Sequence, residues 1–334
     1  MKKIAVIIET KDGVIKEANY GMIACAAKNE SPLYAFIINE NGDKFKEELG
    51  KHGIQNIVEI RIDTLSCENG ANEFNPFNWS DALVQAVTSY EISTLFGLTT
   101  PMGKELLPRI AAQLDAPLVM DCLDVSKGCD LVKTSLYSGK TIATIKVSGD
   151  IRLFGIRPNV IEPSSQIETS KTKISPKVEV FIANIKPKNN IKLIESRKGD
   201  SSGNDLVAAD VIISGGRAMK NGENFKLLHD CAEAIQNFGS AAVVGASRVA
   251  VDLGWVPYRM QVGQTGEKVS PKVYIACGIS GSVQHFAGMK MSGMIIAINE
   301  NINAAIMSNC DYFVEADLFD IVPAITEELN MMNS

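Results

Sequence analysis

Along its first two-thirds the chain alternates short apolar runs with amphipathic stretches. Residues 4–8, 33–38, 57–62, 94–98 and 118–120 have the length and apolar content of buried strands. Between them, Ala18, Met22, Ile23 and Ala26 fall on one helical face, and so do Leu83, Val84 and Val87. Thr100-Pro101 has the form of an N-cap followed by proline at the first helical position, opening a helix through Leu106, Leu107, Ile110 and Leu114. Strand and helix in alternation predict a mostly parallel sheet covered on both faces.

Beyond Pro117 the pattern changes. Residues 131–137, 141–147 and 151–156 are period-2 or β-branched, and Ser138-Gly139-Lys140 and Ser148-Gly149-Asp150 between them have the composition of hairpin connections. The expectation is an antiparallel extension of the sheet, with residues 178–182 as one more strand. Asp121 and Asp124, at a strand end, are candidates for a functional role, but carboxylates in that position are more often solvated, and that is the reading preferred for them. Polar stretches follow at 164–175 and 186–205, and the second is the better domain boundary and has the composition of a hinge. The expected division is an N-terminal α/β scaffold over 1–195 and a second domain over 196–334.

From Asp210 onward one unit recurs: an apolar strand, a small-residue loop with a polar donor, then a helix. Val211-Ile212-Ile213 runs into Ser214-Gly215-Gly216-Arg217, with a helix through Phe225, Leu228, Ala232 and Ile235. Residues 241–244 run into Gly245-Ala246-Ser247-Arg248, residues 273–276 into Gly278-Ile279-Ser280-Gly281, and residues 294–298 end at Asn299. In a doubly wound sheet ligands bind outside the carboxyl ends of the strands, where all these loops would open. Glycines let a ligand approach the backbone, and N–H groups at helix starts bind anions. Ser214, Ser247, Ser280, Gln264, Thr265 and Asn299 supply neutral hydrogen-bonding groups, while Arg217 and Arg248 supply permanent positive charge. Such a set suits a phosphate-bearing, heteroatom-rich ligand such as a dinucleotide. His285, after a glycine loop at a helix start, can offer a ring N–H to a ligand oxygen; without a carboxylate cluster around it, it suits a metal poorly.

Composition narrows this further. A chain of 334 residues is long enough for two domains, and 46% hydrophobic with 22% charged is ordinary globular usage. A net charge of −6 without a Lys/Arg-rich cluster gives no footprint for nucleic acid. No window approaches the ~18 unbroken apolar residues of a membrane span. The apolar run after Lys2-Lys3 stops at Glu9, short of the ~7–15 residues of a secretory signal. Seven cysteines with no CxxC spacing argue against a zinc or disulfide framework, so a reducing, cytoplasmic setting is expected.

Six motifs occur in order: Ser214-Gly215-Gly216-Arg217, Val244-Gly245-Ala246-Ser247-Arg248, Gln261-Val262-Gly263-Gln264-Thr265-Gly266, the stretch from Tyr274 through Gly278-Ile279-Ser280-Gly281-Ser282-Val283-Gln284-His285, Ala297-Ile298-Asn299, and Ala316-Asp317-Leu318-Phe319. Over about 205–330 this resembles the alpha subunit of the electron transfer flavoproteins, and the front domain is compatible in length and pattern. The resemblance implies two Rossmann-like, doubly wound domains, the first with an added antiparallel hairpin region and contacting a beta subunit, the second binding FAD. It implies an electron carrier, not a self-sufficient enzyme. By the same resemblance Arg248 lies over the isoalloxazine, while Ser247, Val262, Gly263, Gln264 and Thr265 line the flavin. Ser280, Gly281, Ser282, Val283, Gln284 and His285 wrap the pyrophosphate and the pyrimidine side, with His285 near O2. Asn299, Asp317 and Leu318 hold the adenosine half, and Arg217 closes the site. Electrons would come from a flavin dehydrogenase and pass to a second acceptor through an anionic semiquinone stabilised by Arg248 and His285.

Two alternatives stand beside that reading. One is an electron-bifurcating complex in which NADH is oxidised at a second FAD in beta, where a simple carrier would hold AMP instead. The other is a nucleotide-binding module without a redox role. The sequence also departs from the family: Asn303-Ala304-Ala305-Ile306-Met307 lacks its usual proline, and Cys310-Asp311-Tyr312-Phe313-Val314-Glu315 lacks the glycine after tyrosine. The iron–sulfur segment that some relatives carry at the N-terminus has no cysteine cluster to form it here.

Overall fold

The computed structural model describes residues 2–62, 74–137, 141–163, 174–185 and 206–333. The expected turn at 138–140, most of the polar stretch at 164–175, the expected hinge at 186–205 and Cys67 lie outside them. The chain divides into two compact units, Met1–Leu136 with Ile142–Arg197, and Lys198–Ser334 with Tyr137–Thr141.

Unit 1 is built on a nine-stranded sheet. Its elements are β1 (Lys3–Ile7), a small ribbon of β2 (Thr10–Lys11) and β3 (Val14–Ile15), α1 (Ala18–Ala27), β4 (Leu33–Ile38), α2 (Lys46–Lys51), β5 (Asn56–Ile62), α3 (Pro76–Ser89), β6 (Ile92–Leu98) and α4 (Pro101–Leu114). There follow β7 (Leu118–Val125), β8 (Leu131–Leu136), β9 (Thr141–Lys146), β10 (Arg152–Ile156) and β11 (Lys177–Ala183). The strand order is β11-β5-β4-β1-β6-β10-β7-β8-β9. Alternation along β1 sends Ile4 and Val6 to the face covered by Met22 and Ile23 of α1 and Leu49 of α2. Ala5 and Ile7 go to the other face, under Leu83 and Val87 of α3 and Leu106 and Leu107 of α4.

Local chemistry explains the start of α4. The Thr100 hydroxyl oxygen accepts from the Gly103 N–H at 3.1 Å, and the hydroxyl donates to the buried Glu9 carboxylate at 2.5 Å. Glu9 also pairs with Lys16 at 2.8 Å. Glu9 and Thr100 follow β1 and β6, between which the strand order reverses, so the chain's own side chains take the crevice position of this sheet.

Two expectations need correction. Ser148-Gly149-Asp150 does not close a hairpin: β10 inserts between β6 and β7 and runs parallel to both. All five of its residues are buried, which suits a central strand covered on both faces rather than a member of an outer meander. The antiparallel extension is therefore β8, paired with β7, and β9 beyond it. Asp121 is not a solvated carboxylate. It lies within β7 and pairs with the buried Arg157, Nε to Oδ1 and Nη2 to Oδ2, both at 3.0 Å. Asp124 stays exposed and pairs with Lys28.

Unit 2 holds β12 (Val211–Gly215), α5 (Phe225–Gln236), β13 (Ala242–Ala246), α6 (Arg248–Asp252), β14 (Val273–Cys277), α7 (Val283–Met289), β15 (Met294–Ile298), β16 (Tyr312–Val314) and α8 (Leu318–Met332). Its five strands are all parallel, in the order β13-β12-β14-β15-β16. One face buries Leu228 and Cys231 of α5 with Leu318 and Val322 of α8. The other buries Ile212, Tyr274 and Met289, beneath α7. Both units are thus doubly wound α/β structures. Among the described residues no helix is long and apolar enough to cross a membrane.

Candidate functional site

In unit 2 the chain goes from β12 to β13 on one side and then crosses to β14 on the other. A crevice opens at such a reversal, at the carboxyl ends of the strands. Here it is a cleft of about 640 Å³ lined by the loops after β12, β13, β14 and β15 and by residues 261–265. That volume lies within the ~300–1,000 Å³ common for small-molecule and cofactor sites.

Each loop is held by its own hydrogen bonds. The Ser247 N–H donates to the Gly215 carbonyl at 2.9 Å, which ties the loop after β13 to the end of β12. Arg248 opens α6, exposed, with Nε 3.2 Å from Asp252. Residues 261–265 are anchored at both ends: Val262 N–H donates to the Ala246 carbonyl at 2.9 Å and Gln264 N–H to the Gln284 carbonyl at 2.7 Å. Gln261 Nε2 donates to Thr265 Oγ1 at 3.0 Å, and the Tyr258 hydroxyl donates to the Thr265 carbonyl.

The loop after β14 needs two glycines in the left-handed region, Gly278 at φ +63° and Gly281 at φ +78°. A Cβ on Gly281 would also collide with the backbone of Ile306, whose N–H donates to the Ser280 carbonyl at 3.1 Å. The Asn299 amide donates to the Ile279 carbonyl and its oxygen accepts from the Asn301 N–H, both at 3.0 Å. The β14 and β15 loops are fixed to each other in this way.

The electrostatics have one sign. Among the described residues the lining includes Arg217 and Arg248 and no carboxylate. Two buried polar atoms of the lining, Ser247 Oγ and His285 Nδ1, have no hydrogen-bond partner. Leaving such a group unpaired costs about 1–3 kcal/mol, which a ligand acceptor or donor would recover. His285 Nε2 is engaged, 3.0 Å from the Tyr274 hydroxyl. Burial pushes the imidazole pKa down to about 4, with the Val262 backbone carbonyl opposing the shift. The ring is therefore neutral near pH 7 and acts as a hydrogen-bonding group, not a charge. These donors fit a ligand with anionic oxygens and a heteroaromatic ring bearing carbonyl acceptors.

Of the residues singled out from sequence, Arg217, Ser247, Arg248, Val262, Gly263, Gln264, Thr265, Ser280, Ser282, Gln284, His285 and Asn299 line the cleft. Four do not. Gly281 is packed against Ile306, and Val283 is exposed on α7. Asp317 caps α8 through the Phe319 N–H at 2.9 Å, and Leu318 is buried. Ala218, Val249, Asn301 and Ala304 line the cleft without having been singled out. For Asn301 a signal was present: asparagines stand at every second position from 299 to 303, and the side chains of Asn299 and Asn301 each accept from the backbone N–H two residues on, two successive Asx turns.

Comparison with known proteins adds the following. Residues 4–182 match the electron transfer flavoprotein domain, and residues 205–290 match the electron transfer flavoprotein FAD-binding domain. The chain is 34% identical over 339 residues to the electron transfer flavoprotein subunit alpha of Bacillus subtilis, covering 99% of this chain and 98% of that one. It is 33% identical over 329 residues to the subunit alpha of Pseudomonas aeruginosa, with 96% and 98% covered. To a probable mitochondrial electron transfer flavoprotein subunit alpha of Caenorhabditis elegans it is 31% identical over 326 residues, with 97% and 92% covered.

Proposed function

The chain belongs to the electron transfer flavoprotein family, as one of its alpha subunits, and on that premise we propose that the cleft of unit 2 holds its FAD and that the protein shuttles electrons between partners. Bound FAD supplies reversible uptake and release of electrons at its isoalloxazine ring. The observation that carries the placement is the pair of buried, unpartnered polar atoms, Ser247 Oγ and His285 Nδ1, in a cleft whose charged lining is arginine.

In this reading the chain's residues divide the work. Arg217 and the loop of Ser280 and Ser282 meet the pyrophosphate, with Gly281 giving that loop its turn and Val283 and Gln284 continuing it. Ser247, Val262, Gly263, Gln264 and Thr265 flank the ring. Arg248 and His285 stabilise the negative charge the ring gains on reduction, Arg248 by its cation and the neutral His285 by N–H donation. Asn299 orders the adenosine side, and Asp317 and Leu318 act there through the backbone they hold at the start of α8.

An alpha subunit implies a beta partner in a heterodimer. Unit 1, whose crevice position is taken by Glu9, Thr100 and Lys16, serves as the scaffold facing that subunit in our proposal. Beta would hold AMP in a simple carrier and a second FAD in a bifurcating complex, with a flavin dehydrogenase as donor or acceptor. The setting in our proposal is cytoplasmic. The test is the visible spectrum of the co-purified heterodimer. Flavin bands are expected; a heterodimer that stays colourless after incubation with FAD would favour a nucleotide-binding module without a redox role.

A further inference from the structure

Tyr274 is the second residue of β14 and is fully buried. Strand alternation turns it to the α7 face of the sheet, where it packs with Ile212, Val243 and Met289. On that face its hydroxyl reaches His285 Nε2 at 3.0 Å, and the two rings meet edge-on, 6.1 Å between centroids at 62°. A phenol in a strand core needs a partner for its O–H, and the ring edge of His285 provides one. The other ring nitrogen, Nδ1, makes no hydrogen bond of good geometry, although the Val262 carbonyl stands beside the ring, and His285 lines the cleft.

We propose that Tyr274 is a positioning residue: by donating its hydroxyl proton to Nε2 of His285 it holds the imidazole in the Nδ1–H form, which then offers an N–H to an acceptor oxygen of the heteroaromatic ring bound in the cleft. This rests on the reading that the cleft holds the flavin.

The direction of the Tyr274–His285 hydrogen bond follows from the two groups. A phenol O–H is a stronger donor than a neutral imidazole N–H, and an imidazole nitrogen is a stronger acceptor than a phenol oxygen. Burial pushes the Tyr274 phenol pKa up, so its proton is kept; the Ser214 hydroxyl beside it opposes the shift, as a donor to the phenol oxygen does, which leaves Nε2 to accept the phenol proton. The Val262 carbonyl beside the imidazole is itself an acceptor and favours a ring proton over a bare lone pair. In a neutral histidine the nitrogen that accepts leaves the proton to the other. The alternative, Nε2–H donating to tyrosine, would leave a lone pair on Nδ1, which repels a ligand oxygen. Tyr274 thus decides whether His285 attracts or repels the carbonyl of a bound ring, although it does not line the cleft itself.

The test uses the assembled, flavin-loaded heterodimer with only this chain carrying 15N-histidine, so that its three histidines give the signals. The His285 ring is assigned by its loss in His285→Gln. Two-bond proton–nitrogen spectra should show the proton on Nδ1 in the unmodified protein. In Tyr274→Phe, which keeps the buried ring, the Nδ1–H to Nε2–H ratio should fall about tenfold, the worth of one buried hydrogen bond. The midpoint potential for the first electron should fall in the same variant while flavin content stays within about twofold. A proton on Nε2 in the unmodified protein, or an unchanged tautomer ratio in Tyr274→Phe, overturns the proposal. A heterodimer that takes up no flavin overturns the proposed function instead, and the tautomer of the unmodified protein still decides the role of Tyr274.

Discussion

Arg248 Nε lies 3.2 Å from Asp252 Oδ2, one helical turn further along α6, with the two side chains 69% and 60% exposed. An exposed i,i+4 pair of this kind is worth only about 0.3–0.5 kcal/mol, so the carboxylate leaves most of the guanidinium's field available to the cleft. Arg248→Ala should retain part of the FAD but lower the yield of the one-electron-reduced flavin about tenfold, a loss of roughly 1.4 kcal/mol. Asp252→Asn should raise that yield by about twofold or less. A reductive titration followed by absorption measures both, and an unchanged yield in Arg248→Ala would remove Arg248 from the proposed role.

The buried histidine makes acid stability a test. The folded pKa of His285 is about 4, below the ordinary value of 6.5, because burial disfavours the charged ring. Between those values the unfolded chain takes up a proton that the folded chain refuses. Stability from this site is therefore complete above about pH 6.5 and lost as pH falls toward 4, by about 3 kcal/mol at most. Thermal midpoints of the heterodimer at pH 7 and pH 5 should differ less in His285→Gln than in the unmodified protein. Equal differences would contradict a buried, neutral imidazole.

Thr100 joins two tasks, capping α4 and satisfying the carboxylate of Glu9, which is 2% exposed. Thr100→Val should destabilise unit 1 by about 3 kcal/mol, of which about 1 is the lost cap and the rest the buried Glu9 Oε1 left without its donor, Oε2 staying on Lys16. Thr100→Ser keeps the hydroxyl and should restore most of it. Denaturant midpoints decide the matter, and a loss below about 1 kcal/mol in Thr100→Val would show that the contact is incidental.

Most strands of both units are legible because each is a short run of apolar or alternating residues between polar turns, and α4 is legible because Thr100-Pro101 marks its first turn. The four loops of the cleft can be read because each follows a strand and carries a small residue beside a polar one. What escapes is pairing across distance. Nothing local tells that residues 152–156 enter the middle of the sheet, since a Ser-Gly-Asp turn serves a hairpin and a parallel crossover alike. Arg157 and Asp121 are 36 positions apart, so their ion pair shows only once β10 lies beside β7. With three residues, β16 carries no usable periodicity. Tyr274 looks like any core aromatic in an apolar strand; only the side of the sheet it faces, and the packing of α7 there, reveal its hydroxyl as a partner for His285.

Flavin content per heterodimer, measured by absorption with and without an obstruction in the cleft, tests the central claim most directly. Ser280 is exposed and lines the cleft, so Ser280→Trp can fill it without disturbing the core of unit 2. The expected result is one FAD per heterodimer in the unmodified protein and little or none in Ser280→Trp, with assembly intact. Two FAD per unmodified heterodimer, one of them lost in Ser280→Trp, would keep this site and identify the bifurcating form. Full flavin content in Ser280→Trp would contradict the claim that this cleft holds the cofactor.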